Sequence, residues 1–266
     1  MSAKGTVRSG SRYPEEKNSY ATPALEKGLD VFELLARQPR GLTRSDISRE
    51  LNRSVSEIFR MLLCLEQRGY IAQVDGDRYA LTPKLFKLVQ EHPPTEQLIT
   101  EALPVMHQVA YNTRQSCHMG VIEGAQVIIL AQVNAPISIG FYVRLGSSVE
   151  LLEATTGHVI LAHQDEDRRA RTLAEWMRLT GSEVPSDLHA QLDRVKRQGF
   201  ESRPSYQVRG VTNISYPIFD GRGSAIGALA VPYINHLDAV ASASEVRVIL
   251  KKASREITAS IGGRTL

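Results

Sequence analysis

The sequence predicts an α+β chain: an N-terminal winged helix-turn-helix, a short connecting helix, and a larger domain that mixes helices with an antiparallel sheet. Three observations predict it. The length of 266 residues suits about two domains at roughly 100–200 residues each. In the first third, apolar periodicity and turn signals follow the order helix, helix, short turn, helix, β-hairpin. Beyond it, strand-like runs joined by tight glycine turns alternate with helical stretches, the mark of an α+β layer arrangement.

Composition bounds the class. Apolar residues are 42% and charged residues 23%, ordinary for a chain that buries a real core. No apolar run is long enough to span a bilayer, and the first twenty residues lack the apolar segment of a secretory signal. Two cysteines, Cys64 and Cys117, form no disulfide framework and suggest a cytoplasmic setting. The net charge of +3 is unevenly spread: residues 1–90 hold 15 Lys/Arg against 11 Asp/Glu, and residues 91–266 hold 17 against 18. The positive excess therefore sits in the first third, where an anionic partner is expected.

The elements follow in order. Residues 1–20 are Ser-, Gly-, Lys- and Arg-rich and read as a disordered arm. Thr22 and Pro23 suit a helix cap and a first turn, and Leu25, Leu29, Phe32 and Leu35 continue at helical spacing to about Arg37. Pro39, Arg40 and Gly41 break that helix. Thr43 and Asp46 fit a capping box for a short second helix carrying Ile47 and Leu51. Ser54 and Glu57 form a full capping box for a third, whose inner face is Ile58, Leu62 and Leu65. Gly69 ends it. Residues 70–74 and 78–81 read as a hairpin about Asp75-Gly76. A connector helix occupies 83–92, and a longer one runs from Thr95 to about Asn112. Strands are expected at 117–122, 127–133, 137–143, 211–219 and 225–233. Helices are expected at 155–162, 167–179, 187–198 and about 240–260, the last burying Val246, Ile249, Leu250, Ala253 and Ile257.

The third helix carries the most specific signal. With Ile58, Leu62 and Leu65 inward, Val55, Ser56, Phe59, Arg60 and Leu63 lie toward the other side. In a helix-turn-helix the start of this helix enters the major groove. There Ser56 and Arg60 offer donors, Val55 and Phe59 meet thymine methyls, and Glu57 accepts from cytosine. Two of these have an ordinary structural reading as well, Glu57 as a capping carboxylate and Phe59 as core. Ser54, Arg40, Arg44, Arg53 and the wing residue Arg78 flank them as phosphate contacts.

Together the blocks ALEKGLDVFELLA, GLTRSDISRELNRSVSEIFRMLLCLEQRGYI, TPKLFKL, LLEATTGHVILA and RQGFESRPSYQVRGVTNISYPIFDGRGSAIGALAV resemble the IclR family of bacterial transcriptional regulators. The resemblance runs from about residue 22 to about residue 260. It implies a winged-helix DNA-binding domain over 21–82, a linker helix over 83–94 and a GAF-like effector-binding domain over 95–266. It further implies double-stranded operator DNA, a small organic-acid effector and homodimers or homotetramers as partners, with regulation of a catabolic operon and no cofactor.

The family's ligand turn maps onto Thr155 and Thr156, just before Gly157, where a helix start offers free N–H groups to an anion. Arg203, Asn213, Ala230 and Pro232 stand where many relatives carry acidic, cysteine or serine side chains, which points away from glyoxylate- or pyruvate-type ligands. Arg203 suits a fork to a carboxylate, and Met119, Phe141 and Tyr142 are candidate apolar walls, each with an ordinary reading as core.

Enzymatic readings find little. HExxH, GxxxxGK[ST] and GxSxG are absent. Gly221 and Gly223 sit in a hairpin turn rather than before a helix. Cys117 and His118 point to opposite faces of a strand. His158 and His163 are wrongly spaced for one metal. The other-class alternatives are a small-molecule enzyme and a sensor module without a DNA-binding role.

Overall fold

The computed structural model describes residues 22–90, 93–138, 140–236 and 240–264. The arm expected over residues 1–20 lies outside the described residues. The chain divides into two compact units, Met1–Glu96 and Gln97–Leu266.

In the first unit, α1 (Pro23–Ala36) is followed by β1 (Leu42–Thr43), α2 (Arg44–Glu50) and α3 (Val55–Gln67). A wing of β2 (Ile71–Val74) and β3 (Arg78–Leu81) and the helix α4 (Lys84–Gln90) complete it. Both expected capping boxes are formed: Thr43 with Asp46, and Ser54 with Glu57. Thr22 differs from expectation. Its side chain makes no cap hydrogen bond, while its carbonyl accepts from the N–H groups of Leu25 and Glu26.

The turn between α2 and α3 is closed by Asn52 in the left-handed region, φ 49°, which Asn tolerates better than most residues. Val31, Leu35, Ile47, Ile58, Leu62 and Ile71 build the core. The wing gains a third strand that the sequence left unmarked, in the order β1-β3-β2. Gly41, φ +65°, lies so close to the Tyr79 carbonyl that a Cβ would come within 2.6 Å of its oxygen.

The second unit is built on a six-stranded antiparallel sheet. Its strands are β4 (Cys117–Glu123), β5 (Gln126–Val133), β6 (Ser148–Glu150), β7 (Glu201–Pro204), β8 (Val211–Phe219) and β9 (Ala225–Ile234). They stand in the order β6-β5-β4-β9-β8-β7. The helices are α5 (Pro93–Thr113), α6 (Thr155–His163), α7 (Glu166–Thr180), α8 (Leu188–Gln198) and α9 (Ala243–Ser260). On one face, α5 and α9 pack over Cys117, Met119, Ala131, Ile214, Leu229 and Val231. On the other, α6, α7 and α8 pack over Val127, Ala225 and Ala228.

Several expectations are corrected. The prolines at 93 and 94 open α5 rather than separate two helices, because proline fits a first helical turn where its missing N–H is not needed. The described residues of 137–143 form no strand. The β5 edge they would need is already taken: Gly146 donates to the Ile129 carbonyl, Ile129 to the Ser147 carbonyl, and β6 continues the ladder. Strands β6 and β7 were unmarked by the sequence, being three and four residues long. The last helix starts at Ala243, behind a capping box of Ser242 and Glu245.

Candidate functional site

Two constellations stand out, one in each unit. The first is the outer face of α3. The capping box holds its start: Glu57 accepts from the Ser54 N–H and hydroxyl at 3.1 and 2.8 Å. It also pairs with Lys27 at 2.6 Å. These donors, that of Lys27 foremost, hold the Glu57 carboxyl down at about 2. Glu57 is thus engaged at both oxygens in fixing the helix, which favours its capping role over cytosine recognition. Ser54 is likewise committed to the cap.

Phe59 is not core. It is 42% exposed, as are neighbouring Val55 (46%) and Leu63 (42%). The Arg44 guanidinium lies 5.3 Å above the Phe59 ring, so α2 contributes a cation to the same surface. Ser56 and Arg60 are exposed on this face. Arg60 makes no hydrogen bond or ion pair among the described residues.

Two flanking arginines do different work. Arg53 pairs with Asp30 at 2.7 Å, tying the turn to α1, and its Nε is buried with no hydrogen-bond partner among the described residues. Arg78 donates to the Gly41 carbonyl at 3.2 Å, which braces the wing. The surface that remains joins exposed apolar side chains of α3 to two cations, Arg60 on the same helix and Arg44 from α2. Such a surface matches the phosphate-flanked, methyl-lined major groove.

The second constellation lies on the α6 face of the larger sheet. Register fixes its membership. Glu201 pairs with Ser215, Ser215 with Ala230, Ala230 with His118, and His118 with Gln132. One step along, Arg203 pairs with Asn213 and Asn213 with Pro232. Paired residues and residues two apart share a face, so all of these point to one side. The Thr155 hydroxyl lies 2.7 Å from the Ser215 hydroxyl, which sets the start of α6 over that side.

The start of α6 is bare. Ala154 offers no side-chain cap, and the helical ladder begins with His158 donating to the Ala154 carbonyl at 3.1 Å. The preceding amides, including those of Thr155 and Thr156, have no capping side chain. A Cβ on Gly157 would drive into the Leu151 carbonyl, so only glycine allows α6 to sit this close.

Buried polar side chains concentrate here. His158 is 2.8 Å from the Leu152 carbonyl through Nε2 and 3.2 Å from Glu201 Oε1 through Nδ1. A carbonyl only accepts, so the Nε2 that faces Leu152 is the donor of that bond. Arg203 Nε stands 3.7 Å from Glu201 Oε1, and its guanidinium also donates to the Glu153 carbonyl. Among the described residues, Glu201 Oε2 is buried without a hydrogen-bond partner, as is His118 Nδ1. Burial pushes His118 down to about 4, so its ring is neutral near pH 7.

Of the residues expected here, Thr155, Thr156, Gly157, Arg203, Asn213, Ala230 and Pro232 come together. Phe141 borders a cavity of about 40 Å³ with Ser116 and Ile234, two residues along from His118 and Pro232. Tyr142 is 65% exposed. Met119 does not join them. It pairs with Leu229 and Ala131 and is buried with them under α5 and α9, on the opposite face. The strand alternation that removes Met119 places His118 at the site instead. His118, Glu201, Ser215 and Gln132 were missed, although period-two alternation along residues 117–122 already set His118 apart from its apolar neighbours.

Among the described residues no cluster suited to a metal ion occurs, and no helix is long and apolar enough to cross a membrane.

Comparison with known proteins bears on both constellations. The family model described as "Bacterial transcriptional regulator IclR C-terminal" matches residues 94–259. The model "IclR helix-turn-helix domain" matches residues 24–75. The HTH-type transcriptional regulator KdgR of Escherichia coli (strain K12) is 27% identical over 241 residues, covering 88% of this chain and 92% of the relative. The Pca regulon regulatory protein of Pseudomonas putida is 27% identical over 224 residues, covering 78% and 73%.

Among solved structures, an IclR homolog from Microbacterium hydrocarbonoxydans complexed with 4-hydroxybenzoate superposes with a TM-score of 0.73 at 21% identity. It covers 90% of this chain and 98% of that one. The Thermotoga maritima IclR gives 0.68 at 20% identity, with coverage of 90% and 98%. The two structures share this fold.

Proposed function

We propose that this chain, which belongs to the IclR family of bacterial transcriptional regulators, controls a catabolic operon in the cytoplasm as a dimer or tetramer on a palindromic operator, answering to a small organic acid. The observation that carries the DNA reading is the outer face of α3, where Val55, Phe59 and Leu63 are exposed beside Arg44 and Arg60. Val55, Ser56, Phe59 and Arg60 read base edges. Arg44 and Arg78 contact the backbone, and Ser54, Glu57 and Arg53 hold the reading helix in place.

The acid reading rests on the uncapped start of α6 above Arg203 and Asn213. A ligand carboxylate there accepts from the amides of Thr155 and Thr156, with Arg203 as the counter-charge. Phe141, Ala230 and Pro232 supply apolar contact. That an IclR homolog has been solved with 4-hydroxybenzoate supports an organic acid as the class. Assembly is supported by the exposed apolar side chains Leu25, Leu29, Leu85, Phe86 and Leu88 of α1 and α4, a surface that a second copy covers. The mechanism is linkage: an effector that prefers one arrangement of the assembly shifts the spacing of its paired reading helices.

The test begins with selection of a duplex from a random library, followed by titration at several salt concentrations. A steep fall of affinity with salt, relieved or enhanced by an organic acid, is expected. Thr156→Trp should abolish the acid's effect and leave DNA binding intact. Absence of any duplex bound above non-specific levels would overturn the DNA reading. Light scattering that shows only a 29.5 kDa species at micromolar concentration would overturn the assembly.

A further inference from the structure

We infer that the second unit carries a further anion site, one that takes a phosphoryl group at the C-terminal end of α6. The site is separate from the start of that helix and goes beyond the organic-acid reading. A cavity of about 280 Å³ lies where α6, α8 and β8 meet α9. Buried His163, Tyr216 and Phe219 form its floor, and exposed Lys196, Lys251 and Arg255 its rim. Among the described residues no Asp or Glu lines it. The nine residues of α6 put it about 12 Å from Thr155.

The charge on this rim is uncompensated. Arg247, Lys251 and Arg255 follow at four-residue spacing along α9, so they share one stripe of its surface. No acid of the helix stands three or four residues from any of them: Glu245 neighbours Val248 and Ile249, and Glu256 neighbours Lys252 and Ala253. Like charges at this spacing destabilise a helix. Lys196 adds a cation from α8, and neither it nor Lys251 nor Arg255 makes a hydrogen bond or ion pair among the described residues. Arg247 lies over the Phe200 ring at 5.6 Å, and Phe200 stacks on Tyr216 at 5.2 Å. The stripe thus continues onto an aromatic wall of the cavity.

Helix ends account for only part of this charge. His163 and Gln198 close α6 and α8, so Lys196 complements a C-terminal dipole. Lys251 and Arg255 do not, since the last turn of α9 holds no basic residue. Burial holds the His163 pKa below its ordinary value, so near pH 7 the positive charge comes from Lys196, Lys251 and Arg255. The same two helix ends disfavour a weakly charged anion. A phosphoryl group carries about −1.5 to −2 charges near pH 7 and three acceptor oxygens, which suits cations approaching from two helices. Tyr216, Pro217 and Phe219 offer apolar contact to a small organic body beside it.

The experiment uses the full chain. Calorimetric titration at matched ionic strength is run with inorganic phosphate, with ribose 5-phosphate and phenyl phosphate as esters, and with methanesulfonate as a singly charged anion of similar shape. At least one phosphoryl compound should bind tenfold or more tightly than methanesulfonate. Tighter binding of an ester assigns an organic phosphate as the source, and equal binding assigns free phosphate. The double variant Lys251→Gln, Arg255→Gln should lose tenfold or more, and Lys196→Gln, on another helix, several-fold. Lys252→Gln removes the same charge from an exposed neighbour outside the cavity and should bind as the parent does. So should Thr156→Trp. The free double variant should melt no lower than the parent, because it relieves like-charge repulsion.

Equal binding of phosphate and methanesulfonate overturns the site. So does parent-like binding by the double variant, or an equal loss in Lys252→Gln. Loss in Thr156→Trp moves the anion to the start of α6 and overturns a separate site, while the organic-acid reading stands. A double variant that changes the mass seen by light scattering, in a chain that binds no phosphoryl compound, assigns the stripe to contact between copies and also overturns it.

Discussion

The outer face of α3 leaves Val55, Phe59 and Leu63 in solvent, whereas the α6 face of the larger sheet takes His118, Glu201, His158 and Ser215 out of it. Each departs from ordinary burial, in opposite directions. On α3 the cost is exposed apolar surface, which a groove lined with methyl groups and flanked by phosphates relieves. On the sheet the cost is desolvated polar atoms, two of which have no hydrogen-bond partner among the described residues. The first surface is ready to dock before its partner arrives, since the capping box and the Lys27 pair fix the helix independently of DNA. The second holds two buried atoms, His118 Nδ1 and Glu201 Oε2, that have no hydrogen-bond partner among the described residues. Deletion on the first surface should therefore change binding and spare stability, while deletion on the second should alter stability as well.

The largest effect is expected at Gly157. Its Cβ would meet the Leu151 backbone rather than a flexible side-chain end, so Gly157→Ala should destabilise the second unit by about 3 kcal/mol. Calorimetric melting should show that loss in the second unit's transition, with the winged helix unaffected. Unchanged melting would mean α6 can move away from Leu151, and would loosen the case for a fixed helix start over the site.

Next comes Arg60→Ala, expected to weaken specific DNA binding by about 1–3 kcal/mol. Melting should not change, since the side chain has no hydrogen bond or ion pair among the described residues. A gel-shift titration at fixed salt that gave parent affinity would remove Arg60 from the interface and leave the exposed apolar side chains as its main content.

His118→Leu tests the opposite site by stability. Replacing a partnerless buried polar group with an apolar one should stabilise the free chain by about 1 kcal/mol. The pH dependence fixes the sign. The ring's pKa falls from the ordinary 6.5 to about 4 in the folded chain. Between those values the unfolded chain binds the proton and the folded chain does not, so stability declines as pH falls from 6.5 towards 4. His118→Leu should remove that part of the slope and leave the part due to His163, which burial also lowers. A parent-like slope in melting curves across this window would show that His118 is paired in solution.

The smallest effect is the cap. Ser54→Ala should cost about 1 kcal/mol, confined to the first unit and visible in its chemical denaturation. The contribution of Glu57 has the same sense: its carboxyl is lowered from 4.5 to about 2. That stabilisation is complete above about pH 4.5 and disappears as pH falls through 2.

The first unit was legible in the sequence because its information is local. Both capping boxes, the Ile58, Leu62 and Leu65 stripe and the Asp75-Gly76 turn act within four or five residues, so periodicity and turn chemistry settle helix, face and wing together. The exposed face of α3 followed by subtraction. In the second unit the long strands and helices were equally visible, whereas the close approach that Gly157 permits became apparent only in the fold.

The composition of the candidate ligand face was decided by pairing between distant segments. Glu201, Ser215, Ala230 and His118 come from four strands, and only their register aligns them. One step of alternation moved the site from Met119 to His118, because neighbouring residues on a strand face opposite layers. The strand expected at 137–143 failed for the same kind of reason: β propensity needs a free edge, and residues 146–150 had already occupied it. A sequence fixes what each residue prefers over one or two turns of chain. Which edge is open, and which polar atoms are left buried without a partner, depends on where the rest of the chain has gone.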